Sequence, residues 1–400
     1  MGIILDIIFA MAAVAIVLAI AWFMSNDKKN IPYKGIAFML ISQLLITWFM
    51  FNTSIGEMII TSISAAFNKL IEFGTVGVEF VLGGIEFDAE AGVFFFDVLL
   101  IIIFFATLLS VLTYLRILPW LIKVLGGVIS KITGLPKIES FNAVNSMFFG
   151  QSEALIAIKS QFHRVTENRL YIVSASAMGS VSASIVGAYL QMLPPQYVLV
   201  AIPLNMFSAL ILASIIAPVS VNDEDDEVDV KDVSESKSVF EAMANGALDG
   251  GKIALIVATM LIAFLASLEL VNYVLGAITG GTTLQEVLGW ILSPIAFLMG
   301  VPAAEIGQAG GIMGLKIITN EFVAMLELQS AMDGLSEKAI GVISVFLTSF
   351  ANFSSIGIIA GTVAGIDNEK GKTVSRFGMK LLIGATLASI LSATIAGLFI

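Results

Sequence analysis

Long apolar runs separated by short polar stretches dominate the chain. A membrane-spanning helix needs about 20 predominantly apolar residues, and eight runs reach that length when some tilt is allowed. These runs are 3–24, 35–51, 92–115, 170–193, 197–219, 252–274, 339–366 and 378–400. The pattern therefore predicts an all-α integral membrane protein with eight transmembrane helices.

Two further apolar stretches, 139–160 and 287–318, are interrupted near their middles by Gly, Pro or acidic residues. Each half has about ten residues, which is too short to cross a bilayer alone. Irregular backbone at membrane depth is tolerated only where protein or water surrounds it. We therefore expect two re-entrant helical hairpins that the surrounding protein shields from lipid.

The distribution of Lys and Arg sets the orientation. When the eight spans are threaded alternately, all 20 of these residues except Lys69, Lys316 and Lys338 fall on one side. Basic residues concentrate in cytoplasmic loops, so both termini are predicted on the outer face. The first hairpin then enters from inside and the second from outside, which indicates an inverted repeat of the kind found in transporters.

The same pattern divides the chain into regions. Each repeat combines a hairpin with a span that polar residues interrupt, at 174–189 in the first repeat and at 349–361 in the second. A basic amphipathic stretch at 114–131 is predicted to lie along the inner membrane surface. The predicted regions are a scaffold and oligomerisation region (1–135), a first transport repeat (136–219), an acidic cytoplasmic loop (220–251), a scaffold span (252–286) and a second transport repeat (287–400).

Composition supports membrane residence and excludes several functions. Hydrophobic residues make up 58% of the chain and charged residues 13%, against about 25% charged residues in soluble domains. The chain has no Cys and a single His, His163, and it lacks hydrolase and phosphate-loop motifs. We therefore expect neither an enzyme nor a bound cofactor. Much of the net charge of −11 comes from 222–238, a solvated acidic segment, and nothing indicates nucleic-acid binding.

Several polar residues are predicted at membrane depth, where a carboxylate costs about 2.5–3.5 kcal/mol on insertion scales. A residue of this kind persists where it faces protein, water or a ligand. Glu153 could instead pair internally, with Lys159 or a serine hydroxyl, and Glu321 in isolation could be an interfacial acid. Taken together they indicate a substrate site in a transporter; the residues are Gln151, Glu153, Glu321, Asn352 and Ser355.

Three motifs give the chain a resemblance to a known family. They are GQSE at 150–153, GLKIITNEFVA at 314–324 and FANFSSI at 350–356. In this order they resemble the concentrative nucleoside transporter family over essentially the whole chain. The resemblance implies a homotrimer in a bacterial cytoplasmic membrane, with eight spans and two re-entrant hairpins in each protomer. It also implies a symporter that imports nucleosides with a cation.

The family's site residues carry over by motif. The resemblance implies that Gln151 and Ser152 contact the base and that Glu153 lies near base and sugar. It further implies that the ribose hydroxyls are held by Glu321, Asn352 and Ser355, while the pocket is lined by Ile185 and Phe350. Ser152 replaces a Thr that is frequent in the family.

The coupling ion is predicted to be the proton. Sodium-coupled members carry an Asn five residues before the hairpin Gln, where this chain has Ser146. The stretches 180–193 and 204–208 resemble the proton-coupled bacterial branch. Glu153 and Glu321 are the candidate proton carriers, with Glu153 preferred. Sodium coupling remains an alternative, with Ser146, Phe149, Ser180 and Val181 as its site, and so does a nucleobase or another polar metabolite as the substrate.

Overall fold

The computed structural model describes residues 3–82, 93–219 and 236–400, and its regular structure there is helical. Short π- or 3-10-helical segments at Phe95–Leu99, Lys159–Arg164 and Met332–Gly334 supplement the α-helices. The α-helices are α1 (Ile3–Phe23), α2 (Tyr33–Asn52), α3 (Ser54–Leu82), α4 (Ile101–Tyr114), α5 (Ile117–Thr133), α6 (Lys137–Asn145), α7 (Gln151–Ile156), α8 (Glu167–Met178), α9 (Ala183–Met192), α10 (Pro195–Ile216), α11 (Val239–Thr279), α12 (Leu284–Leu298), α13 (Ile306–Ile318), α14 (Glu321–Ala331), α15 (Glu337–Leu347), α16 (Phe353–Ile366) and α17 (Asn368–Gly397).

Six helical stretches of the described residues are long and apolar enough to cross a membrane. They are Tyr33–Asn52, Phe95–Tyr114, Glu167–Met192, Pro195–Ile216, Val239–Thr279 and Asn368–Gly397, and each overlaps a predicted span. Of the two remaining predicted spans, the first corresponds to α1 and the other is divided between α15 and α16. The membrane character of the fold is therefore supported, and the count of eight spans stays a prediction.

Both predicted hairpin regions are pairs of short helices. In the second pair, α12 and α13 run antiparallel, because Ser293 contacts Ile306 near the turn while Leu288 contacts Gly314 farther away. A Cβ on Gly310 would come within 2.9 Å of the carbonyl oxygen of Gly289. Small residues therefore let these two helices pack closely, as in other membrane helix pairs.

The two polar-interrupted spans are broken where the sequence predicts. Helix α8 ends at Met178 and α9 begins at Ala183, whereas α15 ends at Leu347 and α16 begins at Phe353. The two breaks touch, since the Phe350 amide donates to the Ser180 carbonyl oxygen at 3.0 Å. The Ala183 amide donates in turn to the carbonyl oxygen of Phe148 in the hairpin turn at 3.1 Å. These hydrogen bonds gather three non-helical segments at one point.

Two parts of the fold differ from the prediction. Helix α11 begins at Val239, inside the region 220–251 that was predicted as an acidic cytoplasmic loop, and residues 220–235 lie outside the described residues. The Ser238 side chain caps α11 by accepting the Glu241 amide, and such a cap is a strong start signal. Helix α3, with 29 residues, lies where no element was predicted.

The basic amphipathic stretch forms α5, as its periodicity predicts. Leu118 and Ile122 are buried, whereas Trp120, Val124 and Val128 are exposed. An exposed apolar face with a Trp is typical of a helix that lies at a membrane interface.

Candidate functional site

All eight residues predicted to bind substrate line one pocket of about 200 Å³. The pocket lies where the turn between α6 and α7, the two helix breaks and the start of α14 meet. The predicted residues that line it are Gln151, Ser152, Glu153, Ile185, Glu321, Phe350, Asn352 and Ser355. The fold therefore brings together residues as far apart in the sequence as Gln151 and Ser355.

One wall of the pocket is a buried network centred on Glu321. The Tyr189 hydroxyl donates to Glu321 Oε1 at 2.9 Å, and Asn352 Nδ2 donates to Glu321 Oε2 at 3.0 Å. Glu321 is 5% exposed and Asn352 2% exposed. Two neutral donors thus hold the carboxylate in place, and each of its oxygens keeps lone-pair capacity for a further donor.

Asn352 is oriented by the helix that it starts. It is the N-cap of α16, and its Oδ1 accepts from the Ser355 amide at 3.0 Å and from the Ser355 hydroxyl at 3.1 Å. The Ser354 hydroxyl also donates to the same oxygen at 2.7 Å. Asn is among the strongest N-cap residues. Because the cap engages Oδ1, the amide nitrogen is directed to Glu321.

The opposite wall is the turn that joins α6 to α7, in the first predicted hairpin region. The Glu153 carboxylate accepts the Gly150 amide at 2.6 Å, and the Thr362 hydroxyl of α16 donates to Ser152 Oγ at 2.8 Å. Gln151 is 9% exposed, and its Oε1 is buried without a hydrogen-bond partner among the described residues. An orphaned buried acceptor of this kind calls for a ligand or a water molecule.

Apolar side chains line the rest of the pocket. Ile185 and Phe350 lie on the pocket wall as predicted. Helix α11 adds apolar side chains that the sequence did not single out, among them Ile253, Val257 and Met260. The pocket therefore combines apolar cover with a few directed polar groups, as small-molecule sites generally do.

Tyr189 is a functional candidate that sequence reasoning missed. It lies in α9 within an apolar run, and its hydroxyl reaches Glu321 across 132 residues of sequence. Its ring also packs edge-on against Phe322, with centroids 5.2 Å apart. The one available signal was that a buried Tyr needs a hydrogen-bond partner, but the sequence could not tell which.

Of the residues named for a sodium site, Phe149 lines the cavity next to the pocket, and the Ser180 carbonyl oxygen accepts the amide of the pocket residue Phe350. The Ser146 hydroxyl donates to the Asn142 carbonyl oxygen of its own helix at 2.7 Å, and the Ser180 hydroxyl donates to the Ala177 carbonyl oxygen at 3.1 Å. Both hydroxyl groups therefore donate to a nearby backbone carbonyl oxygen, as is common for Ser in membrane helices.

A second cavity of about 340 Å³ adjoins the pocket. Glu153 and Ser184 line both cavities. At its other end the second cavity is lined by Lys159, Asn245 and Asp249, which are exposed. Glu153 therefore lies between the pocket and a second cavity whose lining includes residues predicted to be on the cytoplasmic side.

Family models match nearly the entire chain. Residues 197–397 match "Na+ dependent nucleoside transporter C-terminus", residues 12–85 match "Na+ dependent nucleoside transporter N-terminus", and residues 95–196 match "Nucleoside recognition".

Individual relatives agree with these models. The chain is 40% identical over 386 residues to the purine nucleoside transport protein NupG of Bacillus subtilis, covering 96% of this chain and 97% of the relative. It is 32% identical over 412 residues to the nucleoside permease NupC of Helicobacter pylori, covering 98% of each. The solved structure of CNTnw in an inward-facing substrate-bound state superposes with a TM-score of 0.93, at 32% identity and 98% coverage of each chain.

Proposed function

Because the chain belongs to the concentrative nucleoside transporter family, we propose that it imports nucleosides as a secondary active symporter driven by a proton gradient. Its family and structural neighbours are nucleoside transporters, not enzymes. The observation that carries the proposal is the pocket that gathers all the motif residues, with the buried Glu321–Asn352 pair on one wall and the orphaned Gln151 oxygen on the other.

The Glu321 wall is suited to the ribose. A carboxylate is an acceptor-only group and a ribose hydroxyl can donate to it, whereas Asn352 and Ser355 add further polar groups nearby. Hydrogen bonds to charged groups contribute about 1.5–3 kcal/mol each. Vicinal hydroxyls would therefore supply most of the directed binding energy in this pocket.

The Gln151 wall is suited to the base. A carboxamide presents both a donor and an acceptor, and it can match different heterocycle edges by rotating. Ile185, Phe350 and the apolar side chains of α11 would cover the planar ring without imposing direction. The relative named for purine nucleoside transport, at 40% identity, favours purine nucleosides among the substrates.

The proton is our proposal for the coupling ion, with Glu153 as its carrier. Glu153 lines both the pocket and the cavity that opens toward the predicted cytoplasmic side. A protonated Glu153 would leave the loaded site with one negative charge fewer to move across the membrane. The Ser146 hydroxyl, which donates to its own helix, supports the same choice over a sodium site.

A sodium-coupled symporter is the second candidate, because the matching family models are described as Na+ dependent. In that case Ser146 and Ser180 would offer oxygen lone pairs beside the carbonyl groups of Phe149 and Val181.

The proposed nucleoside symporter is also a homotrimer with eight spans, two re-entrant hairpins and outward-facing termini in each protomer. These features rest on the family resemblance and on the distribution of Lys and Arg.

Uptake into proteoliposomes tests the proposal. We expect a labelled purine nucleoside to accumulate when the outside is acidic, to be recovered unmodified, and to leak out when a protonophore is added. Replacing external sodium with choline should change little. Strict sodium dependence at constant pH would replace the proton with sodium, and equal competition by the free base would make the substrate a nucleobase.

A further inference from the structure

Lys316 is a buried basic residue next to the pocket, with 0% exposure. Its ammonium donates to the Phe346 carbonyl oxygen at 2.5 Å, to Ser349 Oγ at 2.6 Å and to Ser389 Oγ at 3.3 Å. The ammonium also lies 4.4 Å from the centroid of the Phe346 ring. A charge removed from water in this way is costly unless it is fully hydrogen-bonded, and three oxygen acceptors meet that need here.

The three acceptors come from three different parts of the fold. Phe346 lies near the end of α15, Ser349 in the break between α15 and α16, and Ser389 in α17. The two serine hydroxyls are also hydrogen-bonded to each other at 2.8 Å. Lys316 itself lies in the last turn of α13, so a single ammonium joins that helix to the helix break and to α17.

The end of α13 and the helix break, joined in this way, each lead directly into one half of the predicted ribose wall, because Glu321 is the first residue of α14 and Asn352 precedes α16. Lys316 is followed after five residues by Glu321, and Ser349 is followed after three residues by Asn352. Asn352 and Glu321 then meet at 3.0 Å. The Lys316–Ser349 hydrogen bond is thus a second connection between the same two segments, placed behind the pocket wall rather than in it.

We propose that Lys316 is a positioning residue for nucleoside binding. Its ammonium fixes the helix break against the end of α13, so that Asn352 and Glu321 present their polar groups to the ribose at one spacing. The inference rests on the proposed function, since it assigns the ribose to this wall. An apolar side chain of similar volume would fill the same space at no desolvation cost, so the charge is explained by the segments that it ties together.

A hydroxyl-dependent readout distinguishes positioning from a general loss of structure. The variants are Ser349→Ala, which removes one acceptor, and Lys316→Met, which removes the ammonium. Ser392→Ala is the matched control, because Ser392 is a buried serine of the same helix as Ser389 that bonds to Ser208 Oγ at 2.9 Å instead. The KM for uptake is measured for a ribonucleoside and for its 2′,3′-dideoxy analogue.

Positioning predicts a selective effect. Ser349→Ala should raise the KM of the ribonucleoside about three- to tenfold, the equivalent of one hydrogen bond, and the KM of the dideoxy analogue by less than about twofold on the same basis. Lys316→Met should raise the KM of the ribonucleoside by a larger factor than Ser349→Ala does. Ser392→Ala should leave the ratio of the two KM values unchanged.

One outcome would overturn the positioning role of Lys316, and another would overturn the proposed ribose site on which that role rests. If wild-type protein discriminates between the two substrates but Ser349→Ala raises both KM values by one common factor, Lys316 serves folding and the positioning role is wrong. If wild-type protein itself does not discriminate between them, the proposed ribose site fails, whatever the variants do. Should Lys316→Met not fold, Ser349→Ala still decides the question.

Discussion

Replacing Glu321 with Gln tests the ribose wall with the smallest change of shape. In the wild-type protein Oε1 accepts from Tyr189 and Oε2 accepts from Asn352. A carboxamide keeps one oxygen and turns the other position into a donor. Facing Asn352, that donor would meet another amide N–H, whereas facing Tyr189 it would meet a hydroxyl that can rotate and accept. The Gln side chain should therefore place its oxygen toward Asn352, and the network should survive without its charge.

The substitution should then weaken nucleoside binding rather than disrupt the network. A hydrogen bond to a charged acceptor contributes about 1.5–3 kcal/mol, against about 0.5–1.5 kcal/mol for a neutral one. Since about 1.4 kcal/mol corresponds to a tenfold change, Glu321→Gln should weaken nucleoside binding about 10- to 100-fold if one or two ribose hydroxyls lose their charged partner. Asn352→Ala should also weaken it at least about tenfold, because it removes both an amide donor and the cap of α16.

Equilibrium binding to purified protein, measured by titration calorimetry, is the suitable assay because it separates affinity from transport rate. The matched control is Glu327→Gln, the same substitution at an exposed position of the same helix, which should bind like wild type. Nucleoside affinity within about twofold of wild type in a folded Glu321→Gln protein would refute the charge-assisted ribose contact.

Further predictions concern the base, the acidic segment and the fold. Gln151→Ala should shift preference among nucleosides more than it reduces total uptake, and a common loss for all nucleosides would make Gln151 structural. Replacing 222–235 with a Gly/Ser linker of equal length should leave uptake near normal, since its composition cannot bury an apolar core; Ser238 must be kept as the cap of α11. A selective loss of transport at normal expression would reveal a regulatory role. Arg169→Leu should destabilise the protein by about 3–5 kcal/mol, because it removes the cation that pairs with the buried Glu139 carboxylate, to which Arg169 donates at 2.5 and 2.9 Å. Thermal unfolding in detergent should show a lower Tm that Arg169→Leu/Glu139→Leu largely restores.

The fold was predictable from the sequence where polarity interrupts an apolar run. Gln151 marks the turn between α6 and α7, and Asn352 marks the second helix break, because a polar amide side chain is costly against lipid. The resemblance to the nucleoside transporter family is confirmed by the family models and the relatives. The binding roles of the eight site residues stay predictions that the shared pocket supports.

The rest of the site depends on contacts that a linear pattern does not encode. Ile253 and Val257 are apolar residues within an apolar helix, so nothing in the sequence distinguishes a pocket face from a lipid face. Tyr189 and Lys316 were equally hidden: their partners lie far along the chain, and only the fold shows that one hydroxyl reaches Glu321 and one ammonium reaches the second break. Helix α11 also begins before the predicted apolar run 252–274, because its first turns, from Val239, contain polar residues that an apolar pattern does not mark.

The most direct test of the account is a structure of the protein with a ribonucleoside bound, determined by electron cryomicroscopy. We expect the nucleoside in the pocket between the α6–α7 turn and the second helix break. Its ribose hydroxyls should lie within hydrogen-bond distance of Glu321 and Asn352, and its base should reach Gln151 under the cover of Ile185 and Phe350. A nucleoside bound with its base against Glu321, or one seated only in the second cavity beyond Glu153, would contradict it.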